Sequence, residues 1–172
     1  MKKISCLMLM ITLLIFSNVK AQNTVITTNN LLNAYLDIEK ALFNSNIKLA
    51  NKNAEHLVNY TAEVIPAKLN ADEKKSWTAY GEKLRYNAQH ISESTTIDHQ
   101  REHFAALSDA MYGLLKTFKT HPTVYRQYCP MKKQYWLNAS QEIQNPYYGK
   151  EMPDCGKVTE TLTGKVSAMM LN

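Results

Sequence analysis

Two pairs of sulfur-containing residues near the C-terminus carry the most distinctive chemistry of the chain. Cys129-Pro130-Met131 is followed by Met152-Pro153-Asp154-Cys155, so each cysteine has a methionine nearby, across a proline. Thiolate and thioether are soft ligands that favour Cu(I) over hard cations. The prolines restrict each pair to extended or turned backbone, which lowers the entropy lost on binding. If the chain returns on itself between Met131 and Met152, the four sulfurs meet, and we predict a metal site formed by Cys129, Met131, Met152 and Cys155.

Histidine could add a nitrogen ligand to this predicted site. His103 precedes the core residue Phe104 at the edge of an apolar seam, and His121 lies where the helical pattern ends. These two are the preferred candidates. His90 borders an apolar stripe in the same way, whereas His99 points away from the seam and is expected to be solvated.

The two cysteines have a competing interpretation, a structural disulfide. An even number of cysteines in an exported protein is typical of disulfide bonding. A Cys129–Cys155 bond would close a loop of about 25 residues and stabilise the fold by roughly 3 kcal/mol. Met131 and Met152 would then be ordinary residues that fill gaps in the packing. The spacing alone leaves both interpretations open.

The beginning of the 172-residue chain resembles an export signal. Lys2 and Lys3 precede an apolar stretch over Ile4–Phe16, and Val19-Lys20-Ala21 offers small residues at a cleavage position. This pattern predicts a secretory signal peptide at residues 1–21, with a retained N-terminal anchor as the alternative. We expect residues 22–172 to form a single periplasmic domain, with no membrane span after cleavage, because the apolar run is too short for an ordinary one.

Charge and motifs exclude several classes of function. Without residues 1–21 the chain keeps 17 basic and 15 acidic residues, a formal charge of +2, and two of its three cysteines. No basic stripe remains, so nucleic acid is not an expected partner. The sequence has no Gly-rich phosphate loop, no nucleophile elbow and no paired-histidine zinc motif, and we expect no enzyme activity.

The first part of the predicted domain, about residues 29–120, has helical periodicity. Apolar residues recur over Asp98–Lys119, where Thr95 and Asp98 are placed as a capping box. A second amphipathic segment spans Ala71–Glu93 and starts with Asn70 and Glu73. Two further segments lie upstream, separated at Asn44–Asn46. The pattern predicts a mainly α protein, an antiparallel four-helix bundle, or three helices if the Asn44–Asn46 break is only a kink.

The second part, about residues 121–165, is rich in proline and tyrosine. Thr123–Tyr128 alternates and is β-rich, and Val158–Leu162 could form a second short strand. Turn signals lie between them. We predict a small irregular or β-containing cap that packs on one end of the bundle and carries the Cys and Met residues.

Several motifs, in order along the chain, resemble a known family. They are Gln100–Phe104, Val124-Tyr125, Cys129-Pro130-Met131, Trp136-Leu137, Asn145–Gly149, Met152 and Cys155-Gly156. The family is an exported bacterial domain of unknown function, found alone in the Gram-negative envelope, or fused to or encoded near membrane-fusion adaptors of copper and silver efflux systems. The resemblance implies metal-related periplasmic work, with Cu(I) or Ag(I) as the ion and an efflux adaptor or another envelope protein as the partner.

One of these motifs is also similar to a short metal-binding motif of such adaptors. Tyr128–Met131 matches it, but the motif normally continues with histidine and proline, and here Lys132 and Lys133 follow. The missing nitrogen ligand makes His103 the expected substitute. Two hypotheses result: a soft-metal handling protein linked to efflux, and a non-catalytic, disulfide-stapled module whose tyrosine-rich cap contacts an envelope partner.

Overall fold

The described part of the chain is mainly helical and ends in a small sheet. The computed structural model describes residues 28–165, so the predicted signal peptide lies outside the described residues. Four α-helices come first: α1 (28–43), α2 (Ile47–Glu63), α3 (Ala71–Glu93) and α4 (Ile97–Leu115). Short 3-10 helices cover Pro66–Lys68 and Gly149–Glu151. The mainly α class with a β-containing C-terminal region is confirmed, while the antiparallel bundle arrangement stays a prediction.

The segment Asn44–Asn46 is a true break between α1 and α2. Ser45 has a positive φ of 51°, which helical backbone does not allow. Asn46 then caps α2, because its side-chain oxygen accepts the N–H of Leu49 at 3.0 Å. The alternative with three helices is therefore wrong for the described residues.

Helices α3 and α4 are neighbours in the chain and in space, joined by only three residues. Helix α3 has the predicted bounds and the predicted capping box of Asn70 and Glu73. The capping box predicted for α4 is wrong: Thr96 is the N-cap residue and makes no side-chain capping bond. Instead, the hydroxyl of Ser94 accepts the backbone N–H of Thr96 at 3.2 Å and organises the connection.

The C-terminal region contains three antiparallel strands in the order β2-β1-β3: β1 (Val124–Cys129), β2 (Gln134–Asn138) and β3 (Lys157–Leu162). The two predicted strands, β1 and β3, are confirmed and pair with each other. Strand β2 was missed by sequence reasoning. The last three residues of β2 are all buried, so the strand lacks the alternation that would identify it.

Aromatic side chains join this sheet region, here called the cap (residues 121–165), to the helices. The rings of Tyr35 and Phe104 stack at 5.2 Å, and Tyr147 of the cap lies 5.9 Å from Phe104 and 6.0 Å from Trp136. The Tyr35 hydroxyl also accepts the backbone N–H of Leu137 at 3.0 Å. Trp136 and Tyr147 are therefore core residues rather than parts of an exposed contact surface.

A buried arginine makes a second connection between helices and cap. The Arg101 guanidinium of α4 donates to the backbone oxygen of Pro146 at 2.9 Å, to that of Leu42 at 3.3 Å and to the Ser45 hydroxyl at 3.1 Å. Gly149 lies against the same guanidinium with a positive φ of 59°. These contacts hold the Asn145–Gly149 loop in place, and that loop in turn supports the cysteines. Among the helices of residues 28–165, none combines the length and apolar character needed to cross a bilayer.

Candidate metal centres

The first cysteine lies at the end of a strand. Cys129 is the last residue of β1, pairs with Gln134 of β2 and is fully buried. The turn that follows is closed by a hydrogen bond from the Lys133 N–H to the Cys129 carbonyl at 2.8 Å, with Lys133 at a φ of 58°. Inside this turn the backbone N–H of Lys132 points at the Cys129 sulfur, 3.4 Å away.

The second cysteine reaches the same place because of the sheet register. Strand β3 begins two residues after Cys155, and its first residue, Lys157, pairs with Tyr128, the neighbour of Cys129. The loop before β3 is anchored by the buried Asn145. Its side chain donates to the Cys155 carbonyl at 2.6 Å, and its backbone N–H donates to the Pro153 carbonyl at 2.9 Å. The predicted return of the chain therefore brings the two cysteines together.

The two sulfurs are 3.8 Å apart, and both cysteines are free thiols. A disulfide bond requires about 2.05 Å. If the Zn–S bond length of about 2.3 Å sets the scale, two thiolates on one ion lie about 3.8 Å apart at a tetrahedral angle and about 4.6 Å apart at a linear one. The observed separation of 3.8 Å matches a tetrahedral angle at a shared ion, whereas linear coordination requires the sulfurs to move apart and a disulfide requires them to approach each other.

The two methionines of the predicted site differ in exposure. Met131 is the most exposed large hydrophobic residue of the described chain, with 65% of its surface accessible, while Met152 is half-buried. The Met131 backbone contributes to the site, because it forms a hydrogen bond to Cys155. The Met152 carbonyl accepts the Cys155 N–H at 3.4 Å. The four residues thus share two adjacent turns, with the cysteine sulfurs in contact.

The electrostatics of the pair raise the pKa of its second thiol. Burial is the largest cause that raises the pKa of Cys155, followed by the hydrogen bond and charge of Cys129 beside it. The Met131 backbone hydrogen bond acts in the opposite direction and lowers this pKa. A soft cation bound between the sulfurs would replace the proton and remove the repulsion between two thiolates.

A second cluster of potential ligands lies on the helices. His90 of α3 and His99 and His103 of α4 place ring nitrogens within 4.8 Å of one another. His103 therefore belongs with two other histidines; it contacts His90, His99 and Asn87, and the edge of the Tyr86 ring. His121 belongs to neither cluster. It is a buried residue of the cap, and its Nδ1 lies 2.6 Å from the Pro122 carbonyl oxygen.

Sequence reasoning missed this histidine cluster although part of the signal was present. His99 and His103 are four residues apart on one helix, so they share one face of α4, and the expectation that the sequence has no paired-histidine zinc motif is wrong. The helical pattern relates each histidine only to the apolar seam and therefore predicts a solvated His99. It is indeed exposed, but its ring also touches His103.

The fold and these two clusters define a mainly helical domain with ligand sets suited to transition metals. The chain belongs to the family described as protein of unknown function DUF3347, whose model matches residues 31–123, just over half of the chain. The matched region contains the histidine cluster and ends before Cys129. No curated protein and no solved structure matched the chain.

Proposed function

We propose that this protein binds Cu(I) or Ag(I) in the bacterial envelope through Cys129 and Cys155 and carries out no catalysis. The observation that supports the proposal best is the 3.8 Å separation of two unbridged sulfurs, each approached by a backbone N–H of the turn after β1. Such N–H groups stabilise sulfur in its charged form. Soft thiolates select monovalent copper-group ions over hard cations.

The exposure of the site suits transfer of the ion rather than permanent storage. Cys129 is buried, Cys155 is partly accessible, and the neighbouring Met131 is mostly in solvent. A thioether at the surface can hold a soft ion briefly while thiolates of this chain exchange with ligands of another protein. Lys132 and Lys133, both exposed, add positive charge next to a complex of one monovalent ion and two thiolates, whose net charge is −1.

The partner proposed for this transfer is an efflux adaptor or another envelope protein. Support comes from the resemblance of the Cys-Pro-Met and Asn145–Gly149 motifs to domains that occur with copper and silver efflux adaptors. The signal-like pattern of residues 1–21 supports a periplasmic location. His103 is left outside the sulfur site because its hydrogen bonds are with Asn87 and His99.

The test is an anaerobic titration of the reduced protein with Cu(I) against a competing colorimetric chelator, with free thiols counted in parallel. We expect one Cu(I) per chain. The Cys155→Ser variant should bind at least about 100-fold more weakly, since losing a ligand exceeds the 10–100-fold effect of losing an outer hydrogen-bond partner. Met131→Leu should weaken binding less, and Met111→Leu, which removes a thioether from the helical core, is the matched control.

Three results would count against the proposal. Reduced protein with two titratable thiols that fails to compete with the chelator would exclude a Cu(I) site. Equal affinity in wild type and Cys155→Ser would exclude the cysteine pair as its location. A Cys129–Cys155 disulfide that resists strong reductants would favour the stapled interaction module instead.

A further inference from the structure

We propose that His90, His99 and His103 form a second metal site, which binds one borderline divalent ion such as Zn²⁺ or Cu²⁺ between α3 and α4. The site lies where the two helices meet at their short connection, in the last turn of α3 and the first turns of α4. It uses nitrogen ligands only and no residue of the cap. It therefore goes beyond the sulfur chemistry proposed above and does not depend on it.

The distances between the rings are close to those of a three-histidine site. Nε2 of His99 and Nε2 of His103 are 3.2 Å apart. Tetrahedral coordination with Zn–N bonds of about 2.0–2.1 Å puts two ligand nitrogens about 3.3 Å apart, so this pair already has the required spacing. The His90 ring lies 4.4 Å from that of His103 and 6.2 Å from that of His99, centroid to centroid. The His90 and His103 rings stack with 7° between their planes, so His90 must turn to direct its lone pair at a shared ion; one of its ring nitrogens already lies within 4.8 Å of nitrogens of the other two.

A buried asparagine fixes how His103 presents its nitrogen. The Asn87 amide nitrogen donates to the Lys83 carbonyl at 2.8 Å, which leaves the amide oxygen facing Nδ1 of His103 at 3.0 Å. Because that oxygen can only accept, Nδ1 carries the proton and the lone pair of His103 is on Nε2, toward the other histidines. Histidine ligands in metal sites are commonly oriented by such an acceptor on the second ring nitrogen.

The surroundings of the cluster leave an ion accessible. Imidazole nitrogen suits Zn, Cu, Fe and Ni better than hard cations. His99 is exposed while His90 and His103 are half-buried, so solvent or a fourth ligand can reach a bound ion. Three protein ligands with one open position is a common arrangement for histidine-bound zinc.

The experiment titrates the whole, unmodified protein with Co²⁺, a spectroscopic substitute for Zn²⁺, and then adds Zn²⁺ to displace it. Visible bands of Co²⁺ report a four-coordinate site, and a thiolate charge-transfer band in the near ultraviolet reports sulfur ligands. We expect one Co²⁺ per chain, visible bands without the thiolate band, and displacement by one equivalent of Zn²⁺.

Variants locate the site and separate it from the cysteines. His99→Gln, at an exposed position where folding is not at risk, should bind at least about 10-fold more weakly. His56→Gln, an exposed histidine of α2, is the matched control and should stay within about twofold of wild type. Cys155→Ser should keep Co²⁺ binding unchanged even if Cu(I) binding is lost. Asn87→Ala should weaken binding by about 10-fold if the asparagine orients His103.

The proposal is overturned if His99→Gln and wild type bind Co²⁺ with equal affinity. It is also overturned if the wild-type protein shows no visible Co²⁺ bands at about millimolar Co²⁺, a concentration far above the dissociation constant expected of a preformed metal site. A strong thiolate band that disappears in Cys155→Ser would assign the divalent ion to the cysteine pair instead. Failure of Cu(I) binding leaves these outcomes unaffected, because none of the three histidines is a sulfur-site residue.

Discussion

Oxidation of the cysteine pair should stabilise the fold and abolish its affinity for Cu(I). Oxidised glutathione supplies a defined reaction: the two thiols form one disulfide, and their two electrons and two protons pass to one molecule of oxidised glutathione, which becomes two molecules of reduced glutathione. Cys129 and Cys155 are 26 residues apart in sequence. Closing a loop of that length lowers the entropy of the unfolded chain by an amount equivalent to about 3.5 kcal/mol at about 25 °C. The same bond consumes both thiolates, so no soft ion can bind between them.

The assay compares denaturant unfolding of reduced and oxidised protein, with the disulfide verified by mass and thiol count. The free energy of unfolding should rise by about 3.5 kcal/mol on oxidation, and Cu(I) retention should fall to background. Cys155→Ser is the control, since it cannot form the bond and should unfold identically under both conditions. A verified disulfide that leaves stability unchanged or lowers it, or that leaves Cu(I) binding intact, would refute the placement of the two sulfurs in one unstrained site.

Three further predictions concern the helices and their junction with the cap. Burial raises the pKa of Glu39 to about 8, so the folded protein holds a proton that the unfolded chain releases. The free energy of unfolding should therefore fall as the pH rises from about 4.5 to 8, by at most about 5 kcal/mol. Glu39→Gln should remove this loss and be the more stable protein at about pH 8.5 in urea unfolding; a parallel pH dependence in both proteins would contradict it. Gly149→Ala places a methyl group 2.7 Å from the Arg101 guanidinium at a positive φ and should lower the free energy of unfolding by about 1–3 kcal/mol. Gly81→Ala should lower it less, because Gly81 is at a helical position where the nearest atoms belong to the Trp77 ring. Zn²⁺ should raise the melting temperature of wild type but not of His99→Gln, and equal shifts would argue against a link between α3 and α4.

The starts and breaks of helices were predictable because residues close to them in the sequence determine them. The start of α3 follows from Asn70 and Glu73, which satisfy each other's backbone N–H groups without help from the rest of the chain. The break at Asn44–Asn46 is likewise local. Strand β2 was not predictable, because its last three residues are all buried and show no alternation of buried and exposed positions. Its identity depends on pairing with β1, which is a tertiary contact.

In the two candidate sites, too, some contacts follow from the local sequence and others depend on tertiary packing. The approach of Cys129 and Cys155 follows from a return of the chain that turn signals indicate, and the sheet register then sets the distance. His99 and His103 share a face by spacing alone, but His90 joins them only because α3 and α4 cross at a particular angle and rotation. Asn87, which orients His103, lies sixteen residues away in sequence on the other helix. No periodicity in the sequence marks such a contact.

The most direct test of the central claim is X-ray absorption at the copper edge on reduced protein loaded with one equivalent of Cu(I). The account predicts a coordination shell of sulfur, which collapses in the Cys155→Ser variant and persists in His99→Gln. A shell dominated by nitrogen, lost in His99→Gln and retained in Cys155→Ser, would contradict it and transfer the copper chemistry from the cap to the helices.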